Sequence, residues 1–525
     1  LKPSSAGSSL IVHCSSLQPH TLCMAAPAAR CICFGETLLR HTPLRAAAAA
    51  SATPPAAGTE VNSDGLKADV VAGAEEEEED EVELEGDENE DPLLLPGLAA
   101  RPRPTMPRAW SRTVAGAELN VAAALVRLGW PAPAFVSALS SSRLGQDAEA
   151  LLREALGITA ADGIAAVEGT AEGGPPFRGL VLRRAPGKVG TVHITGSTKV
   201  YEREDSVFSR LDPGWFPEDF WRSLLVPGGA DAADELARRS LTFLHMSGVP
   251  PLVSPNAARV WATALQSARS AKEKGARVFV TLELTPRREF GGYLELWMMT
   301  VPHLASLDVL VLSLNIMSPL CTLLGDRTSP ELTRLDATRP ALQGLDTLVA
   351  TRLPDELRSV AAVDGVLSDA LKEIRRFLAA SGGGSAALPA LLVTAKLAEA
   401  KRRAPGEPPA QSRWSLACTG TEVISTADHA VRHQPLAPDG GTDAWLAGVI
   451  DGLAAASVEE QPGREEGGDG SGPFQLGVSA EAWGRALRRG DRLAAMKQDR
   501  CNLSSDLCPV SRAELEKCTA EGGVV

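Results

Sequence analysis

The chain has 525 residues, a formal net charge of −14 at pH 7, 44% apolar residues and only 4% aromatic residues. That length allows roughly two to four domains or one large decorated domain, and the apolar content excludes whole-chain disorder, collagen and a coiled coil. The acidity argues against bulk or sequence-specific nucleic-acid binding, and with no run of about 18 uninterrupted apolar residues no membrane partner is expected.

The charge is local. Glu75–Asp91 carries 13 acidic residues in 17 and no basic one, and removing those 13 charges leaves −1. Such a run is expected to be a solvated segment hung from a nearly neutral folded body. The basic, Pro-rich stretch Arg101–Arg112 directly follows it and reads as a linker. Nine cysteines include no CxxC pair, so no metal is expected; Cys31 and Cys33 sit in an apolar stretch suited to a buried strand. Residues 1–35 lack Asp and Glu and are rich in Ser and Ala, a composition like that of an organelle transit peptide.

In chain order, 1–29 is a transit-like or disordered N-terminus, and Ala28–Leu39 reads as a first strand within a short segment, 30–42. Residues 43–108 form an Ala/Pro-rich and acidic disordered insertion, 109–490 the main domain, and 491–525 a C-terminal tail. Ala117–Gly129 is predicted as a helix, because Val121, Ala124, Leu125 and Leu128 fall at i, i+3, i+4 and i+7, with Gly129 at the stop. Strands are predicted at Ala134–Leu139, Gly179–Arg183, Gly190–Ile194, Leu241–Met246, Arg277–Leu282, Leu307–Leu312 and Leu388–Thr394. Helices are predicted at Asp147–Ala155, Asn256–Lys274, Val366–Leu378 and Thr442–Ala456. Strands alternating with helices of this length imply a mainly parallel sheet covered on both faces.

Pro438–Ala455, PDGGTDAWLAGVIDGLAA, carries the clearest chemistry. Gly440, Gly441 and Thr442 precede Asp443 at a helix start. Exposed N–H groups and the helix dipole there make an anion hole, and a carboxylate beside it could serve as general base to a hydroxyl. The same residues also suit an ordinary glycine turn with Asp443 in the first helical turn. His193 and His245 lie in apolar strands and read as structural. His429 and His433 are four apart, a spacing that would put both on one helix face, with no third ligand nearby. Trp110 and Trp130 read as packing anchors.

Three segments in order extend the reading. Cys31–Leu39 (CICFGETLL), Ala115–Gly129 (AGAELNVAAALVRLG) and Pro438–Gly448 resemble the first strand, the GGxxxN signature and the DTxGAGD signature of the pfkB, ribokinase-like carbohydrate kinases. The resemblance implies a three-layer αβα sandwich with a mainly parallel central sheet and a small β lid built near Val114 and Gly179–Ile194. It implies Asp443 as catalytic base, Gly440, Gly441 and Thr442 as anion hole, Gly116 and Asn120 as substrate-binding residues, and ATP with Mg²⁺ as cofactors of an active member. Cys33–Gly35, Glu204–Leu211 (EDSVFSRL) and Val280–Pro286 (VTLELTP) are similar to segments of plastid fructokinase-like proteins that associate with the plastid-encoded RNA polymerase. That finer resemblance implies a chloroplast location, in stroma or nucleoid, with polymerase subunits or associated proteins as partners.

The kinase pattern is also broken. Arg40 stands where a sugar-binding Asp is expected, and Ser140–Gly145 replaces a GxD-type turn. The DxNxR-type strand end reads Thr281, Leu282, Glu283, Leu284, Thr285. No acidic residue occurs from Val309 to Gly325, whether the NxxE element starts at Ser313 or at Asn315. The TxGxxG nucleotide turn reads Thr394, Ala395, Lys396, Leu397, Ala398, Glu399, without either glycine, and Ala437 and Pro438 replace the Asp-Thr before the anion hole. Phosphoryl transfer rests on positioning and charge stabilisation, so these losses imply a non-catalytic protein unless an acid such as Glu283 substitutes.

Overall fold

Alternate residues of the central strands are buried on opposite faces, as a sheet covered on both sides requires. In β1 (Ala29–Phe34), Ile32 and Phe34 join one apolar layer while Cys31 and Cys33 join the other. In β8 (Leu241–Ser247), Leu244 and Met246 face the first layer, and Leu241 and Phe243 the second. The computed structural model describes residues 29–43, 110–130, 133–158, 179–195, 198–226, 241–284, 293–314, 316–317, 320, 347–381, 388–399, 409–436, 440–459, 477–500 and 507–520. Contacts group Leu1–Thr42 with Arg112–Val525 as one unit; of the second, Pro43–Ser111, only Pro43, Trp110 and Ser111 are described.

The remaining strands are β2 (Leu38–Pro43), β3 (Trp110–Ala115), β4 (Ala134–Ser140), β5 (Leu180–Ala185), β6 (Gly190–Thr195), β7 (Thr198–Glu202), β9 (Val278–Leu284), β10 (Val309–Leu312), β11 (Thr347–Val349), β12 (Ala390–Ala398), β13 (Gln411–Thr419), β14 (Glu422–Ser425) and β15 (Val431–His433). The main sheet runs β14-β13-β12-β10-β9-β8-β1-β4-β5, with β11 on β12 and β15 on β13. Every pair from β12 to β5 is parallel, and β13 turns the edge antiparallel.

The described helices of eight residues or more are α1 (Ala117–Arg127), α2 (Arg143–Ala155), α3 (Glu218–Leu225), α4 (Pro255–Glu273), α5 (Tyr293–Thr300), α6 (Val360–Ser381), α7 (Gly441–Glu459), α8 (Ala480–Arg500) and α9 (Arg512–Ala520). Side chains of α3, α4, α5 and α6 fill the first layer; those of α1, α2, α7, α8 and α9 fill the second. The order helix layer, sheet, helix layer is the αβα sandwich expected. Local chemistry sets the ends. At α4, Ser254 Oγ accepts from Ala257 N at 3.1 Å, Pro255 occupies the first turn, and Gly275 at φ 83° ends the run.

A second sheet, β3-β2-β6-β7, forms the lid. Leu38, Ala115, Val192 and Ile194 make its small apolar layer. Here the structure departs from the sequence reading. The single strand expected over Ala28–Leu39 is two, broken at Gly35–Thr37 and divided between the sheets, because Gly35 and Glu36 leave the central sheet to meet α1. The strands at 179–183 and 190–194 also separate: β5 is an edge of the main sheet, and β6 belongs to the lid. The boundary drawn at 490 falls inside α8, and Cys508, Val510 and Leu515 beyond it are fully packed. His429 lies in a 3-10 turn and His433 in β15, so they do not share a helix face. Residues 44–108 of the insertion, the N-terminus 1–28 and the basic stretch up to residue 109 lie outside the described residues. Among the described residues no helix is long and apolar enough to cross a membrane.

Candidate functional site

Two helix starts and the lid meet beyond the carboxyl ends of β1 and β8, the crevice where parallel α/β sheets hold ligands. Gly116 precedes α1 with φ 152°, and a Cβ there would lie 2.4 Å from the Glu36 carbonyl oxygen. Only glycine allows this approach, which sets the first turn of α1 against Gly35–Thr37. Glu118 and Asn120 project from that turn. In α7, Ala444 N donates to Gly440 O at 3.1 Å, and Asp443 sits in the first turn, 8% exposed. Asn120 Nδ2 donates to Asp443 Oδ2 at 2.7 Å, joining the two helix starts.

These groups line a cavity of about 90 Å³. Its floor is Gly116, Glu118, Asn120, Gly440 and Asp443; its roof is the lid, through Leu38, Val192, Ile194, Lys199, Tyr201 and Arg203. Glu118 Oε1 accepts from Ser247 N at 3.0 Å and Ser247 Oγ at 2.6 Å. Burial pushes the Glu118 carboxyl up to about 7, with the Asp443 charge acting in the same direction. Glu36 Oε2 accepts from Arg203 Nε at 2.6 Å, an ion pair between core and lid. Arg203 also stacks over the Tyr201 ring, 4.2 Å from its centroid. Burial lifts Glu36 to about 6 despite Arg203.

On the other side of α7 the surroundings differ. A Cβ on Gly441 would lie 2.6 Å from Gln498 Nε2 and 3.1 Å from Arg413 Nη2. Arg413 is fully buried and donates Nη1 to Thr394 Oγ1 at 3.2 Å and Nη2 to Gln498 Oε1 at 2.8 Å. Burial lowers its pKa to about 10, with Asp491 and Asp499 opposing, so it stays cationic at neutral pH. Strand β12 continues through Ala398, paired with β13 from Leu391–Cys418 to Ala398–Gln411. The segment that resembles a nucleotide turn is therefore regular strand. Among the described residues, Gln498 and Arg413 crowd Gly441 at the α7 start, and the sequence 309–325 offers no acid to hold Mg²⁺.

Of the residues singled out from the sequence, Gly116, Asn120, Gly440 and Asp443 line the cavity. Gly441 faces Gln498 and Arg413 instead, and Thr442 is half-buried beside it. Arg40 is buried in β2, donates Nε to Thr42 Oγ1 at 3.1 Å and is not part of the wall. Ser140–Gly145 starts α2, with Ser142 Oγ accepting from Gly145 N. Glu283 is buried in β9 away from the cavity wall. Ser313 and Ile316 are buried, while Thr285, Asn315, Ser318, Ala437 and Pro438 lie outside the described residues. His245 is buried with Nδ1 3.1 Å from Thr281 Oγ1, and burial lowers its pKa to about 3, a structural histidine. Trp130 Nε1 donates to Asp451 at 2.6 Å; the Trp110 side chain is not described.

Glu36, Glu118, Lys199, Tyr201 and Arg203 were missed. Glu36 stood in the GE pair and Glu118 in the AGAELN run, so a search for buried acids near those turns would have found both. The lid residues carry no such signal.

No family model matches the sequence. Solved structures with a similar fold include a 2-dehydro-3-deoxygluconokinase from Thermotoga maritima, 16% identical, with 94% of this chain and 98% of that one covered and a TM-score of 0.50. A PfkB family carbohydrate kinase from Listeria grayi is 12% identical over 94% and 99%, with a TM-score of 0.51. A fructokinase from Xylella fastidiosa, solved with bound ATP, is 15% identical over 94% and 99%, with a TM-score of 0.48. At these identities the likeness is one of fold: the chain has the ribokinase-like sandwich of PfkB-type carbohydrate kinases.

Proposed function

We propose that this chain is a PfkB-type protein that keeps a small-molecule pocket under its lid but does not transfer phosphate. We further propose that it serves as a structural or regulatory subunit of the plastid-encoded RNA polymerase complex in chloroplast transcription. One observation carries the non-catalytic part: Arg413 and Gln498 pack closely against Gly441, at the helix start where a transferred phosphate would be held. The polymerase role rests on the resemblance of Cys33–Gly35, Glu204–Leu211 and Val280–Pro286, and the chloroplast location also on the transit-like N-terminus.

A second reading has its own support. Asp443 lies in the cavity wall, oriented by Asn120, as a base toward a ligand hydroxyl would be. In that reading the chain is an ATP-dependent sugar kinase of fructokinase type. Calorimetry of ATP–Mg²⁺ on the full chain, with and without fructose and beside Asp443→Ala, separates the two. The non-catalytic reading expects no binding heat at millimolar ligand. Mg²⁺-dependent binding that tightens with fructose would transfer the assignment to the kinase. Affinity capture from plastid extract tests the partner, with polymerase subunits expected and their absence overturning that part.

A further inference from the structure

We infer that the cavity under the lid takes a polyol bearing a protonated amine, in preference to a neutral or acidic sugar. The inference rests on the reading of this cavity as a retained small-molecule pocket.

The hydrogen-bond inventory of the wall is one-sided. Asn120 Nδ2 is committed to Asp443, and this fixes the amide orientation, since the reverse would set oxygen against a carboxylate. Asn120 Oδ1 then remains a buried acceptor with no protein partner. Glu36 Oε1 is another, its twin oxygen being held by Arg203. The two residues are 5% and 3% exposed. Glu118 Oε1 is taken by Ser247, Arg203 pairs with Glu36 and stacks on the Tyr201 ring, and Lys199 has an interaction of its own; Lys199, Tyr201 and Arg203 are part-buried. Among the described lining residues, the buried side-chain atoms left unpartnered are therefore acceptors only.

A fitting ligand must bring donors. An ammonium brings three and no lone pair of its own. A hydroxyl brings one donor where an ammonium brings three, and it brings no charge. A carboxylate brings acceptors and a charge into a wall that already holds Glu36, Glu118 and Asp443. Charge points the same way: three carboxyl groups face the two cations Lys199 and Arg203. A ligand of charge +1 balances the wall, and a charge-assisted bond to Glu36 would be the strongest single contact available. Leu38, Val192 and Ile194 offer the apolar surface for the carbon chain.

The test uses three ligands with one carbon skeleton and charges of +1, 0 and −1: 1-amino-1-deoxy-D-sorbitol, D-sorbitol and D-gluconate. Calorimetry on the full chain at pH 7.5, in an amine-free buffer, is expected to rank the amine first by at least about tenfold. In Glu36→Gln that advantage should shrink to within about threefold. The ligand ranking needs no variant, so misfolding of Glu36→Gln would leave the inference testable. Sorbitol or gluconate binding as tightly as the amine overturns the inference while leaving the pocket. Absence of binding by all three to about 10 mM, well short of a weak 1 mM complex, overturns the inference and the retained pocket together. The ATP–Mg²⁺ calorimetry decides the non-catalytic part separately.

Discussion

Asp443 divides the molecule into two chemically opposite regions. Toward the lid, buried carboxyl groups surround a cavity with unmet acceptors. Toward β12 and β13, a buried guanidinium and an amide fill the space against Gly441. The same helix start thus has an open wall on one side and a closed one on the other. The closed side is satisfied internally: Arg413 finds partners in Thr394 and Gln498, and the carboxylates of Asp491 and Asp499 favour its charge. One helix start can therefore border a lined cavity and a filled core at once.

Three changes would break or sharpen that contrast. The largest effect is expected from Arg413→Ala. If the closed side is core, removing a fully buried guanidinium hydrogen-bonded to Thr394 and Gln498 should destabilise the chain by about 2–4 kcal/mol in urea unfolding. A loss near zero would mean the guanidinium is a removable plug and that the phosphate side is not core.

Next comes the pH response of the open side. The folded pKa of Glu118 is raised from 4.5 to about 7, so the folded state holds this proton more tightly than the unfolded chain. That contribution to stability is complete below pH 4.5 and is lost as pH rises through 7. The wild type should lose on the order of 2–3 kcal/mol from this group between pH 4.5 and 8. Glu118→Gln should flatten that slope in chemical denaturation measured across the range. An unchanged slope would remove Glu118 from the buried wall. Arg413 does not titrate in this window, but Asp491 beside it, raised by burial to about 6, should add its own loss as pH rises toward 6, and Glu118→Gln should leave that part in place.

The smallest effect tests the crowding itself. Gly441→Ala sets a methyl group against Gln498 and should cost about 1–2 kcal/mol. In a Gln498→Ala background most of that cost should disappear, a coupling readable in a double-mutant cycle. Additive effects would mean the α7 start is not crowded by Gln498.

Much of the frame could be read before any coordinates. Helices α1, α4 and α7 follow from apolar spacing, and the central strands from short β-branched runs bounded by turns. Helix α3 was missed because Glu218–Leu225 is only 8 residues long and follows a Pro-rich turn. Helix α8 was missed, and the domain boundary was drawn at 490 inside it, because its arginines mask the apolar stripe that includes Leu487 and Leu493. For the candidate site, Asp443, Gly440, Gly116 and Asn120 were legible as helix-start residues with glycines beside them. Arg413 was not, since one arginine in the run QSRWSLACT reads as an edge-strand surface residue.

The sequence by itself determined the alternation of strand and helix, the lost glycines of the nucleotide turn, and a carboxylate at the start of α7. These are local properties, set by periodicity and backbone preference over a few residues. Only the tertiary structure decided what faces that carboxylate. Asn120 and Asp443 are 323 residues apart, Glu36 and Arg203 are 167 apart, and Arg413 and Gln498 are 85 apart. No local signal couples such positions; packing of the two layers on one sheet brings them together, and burial there sets their charge and reach.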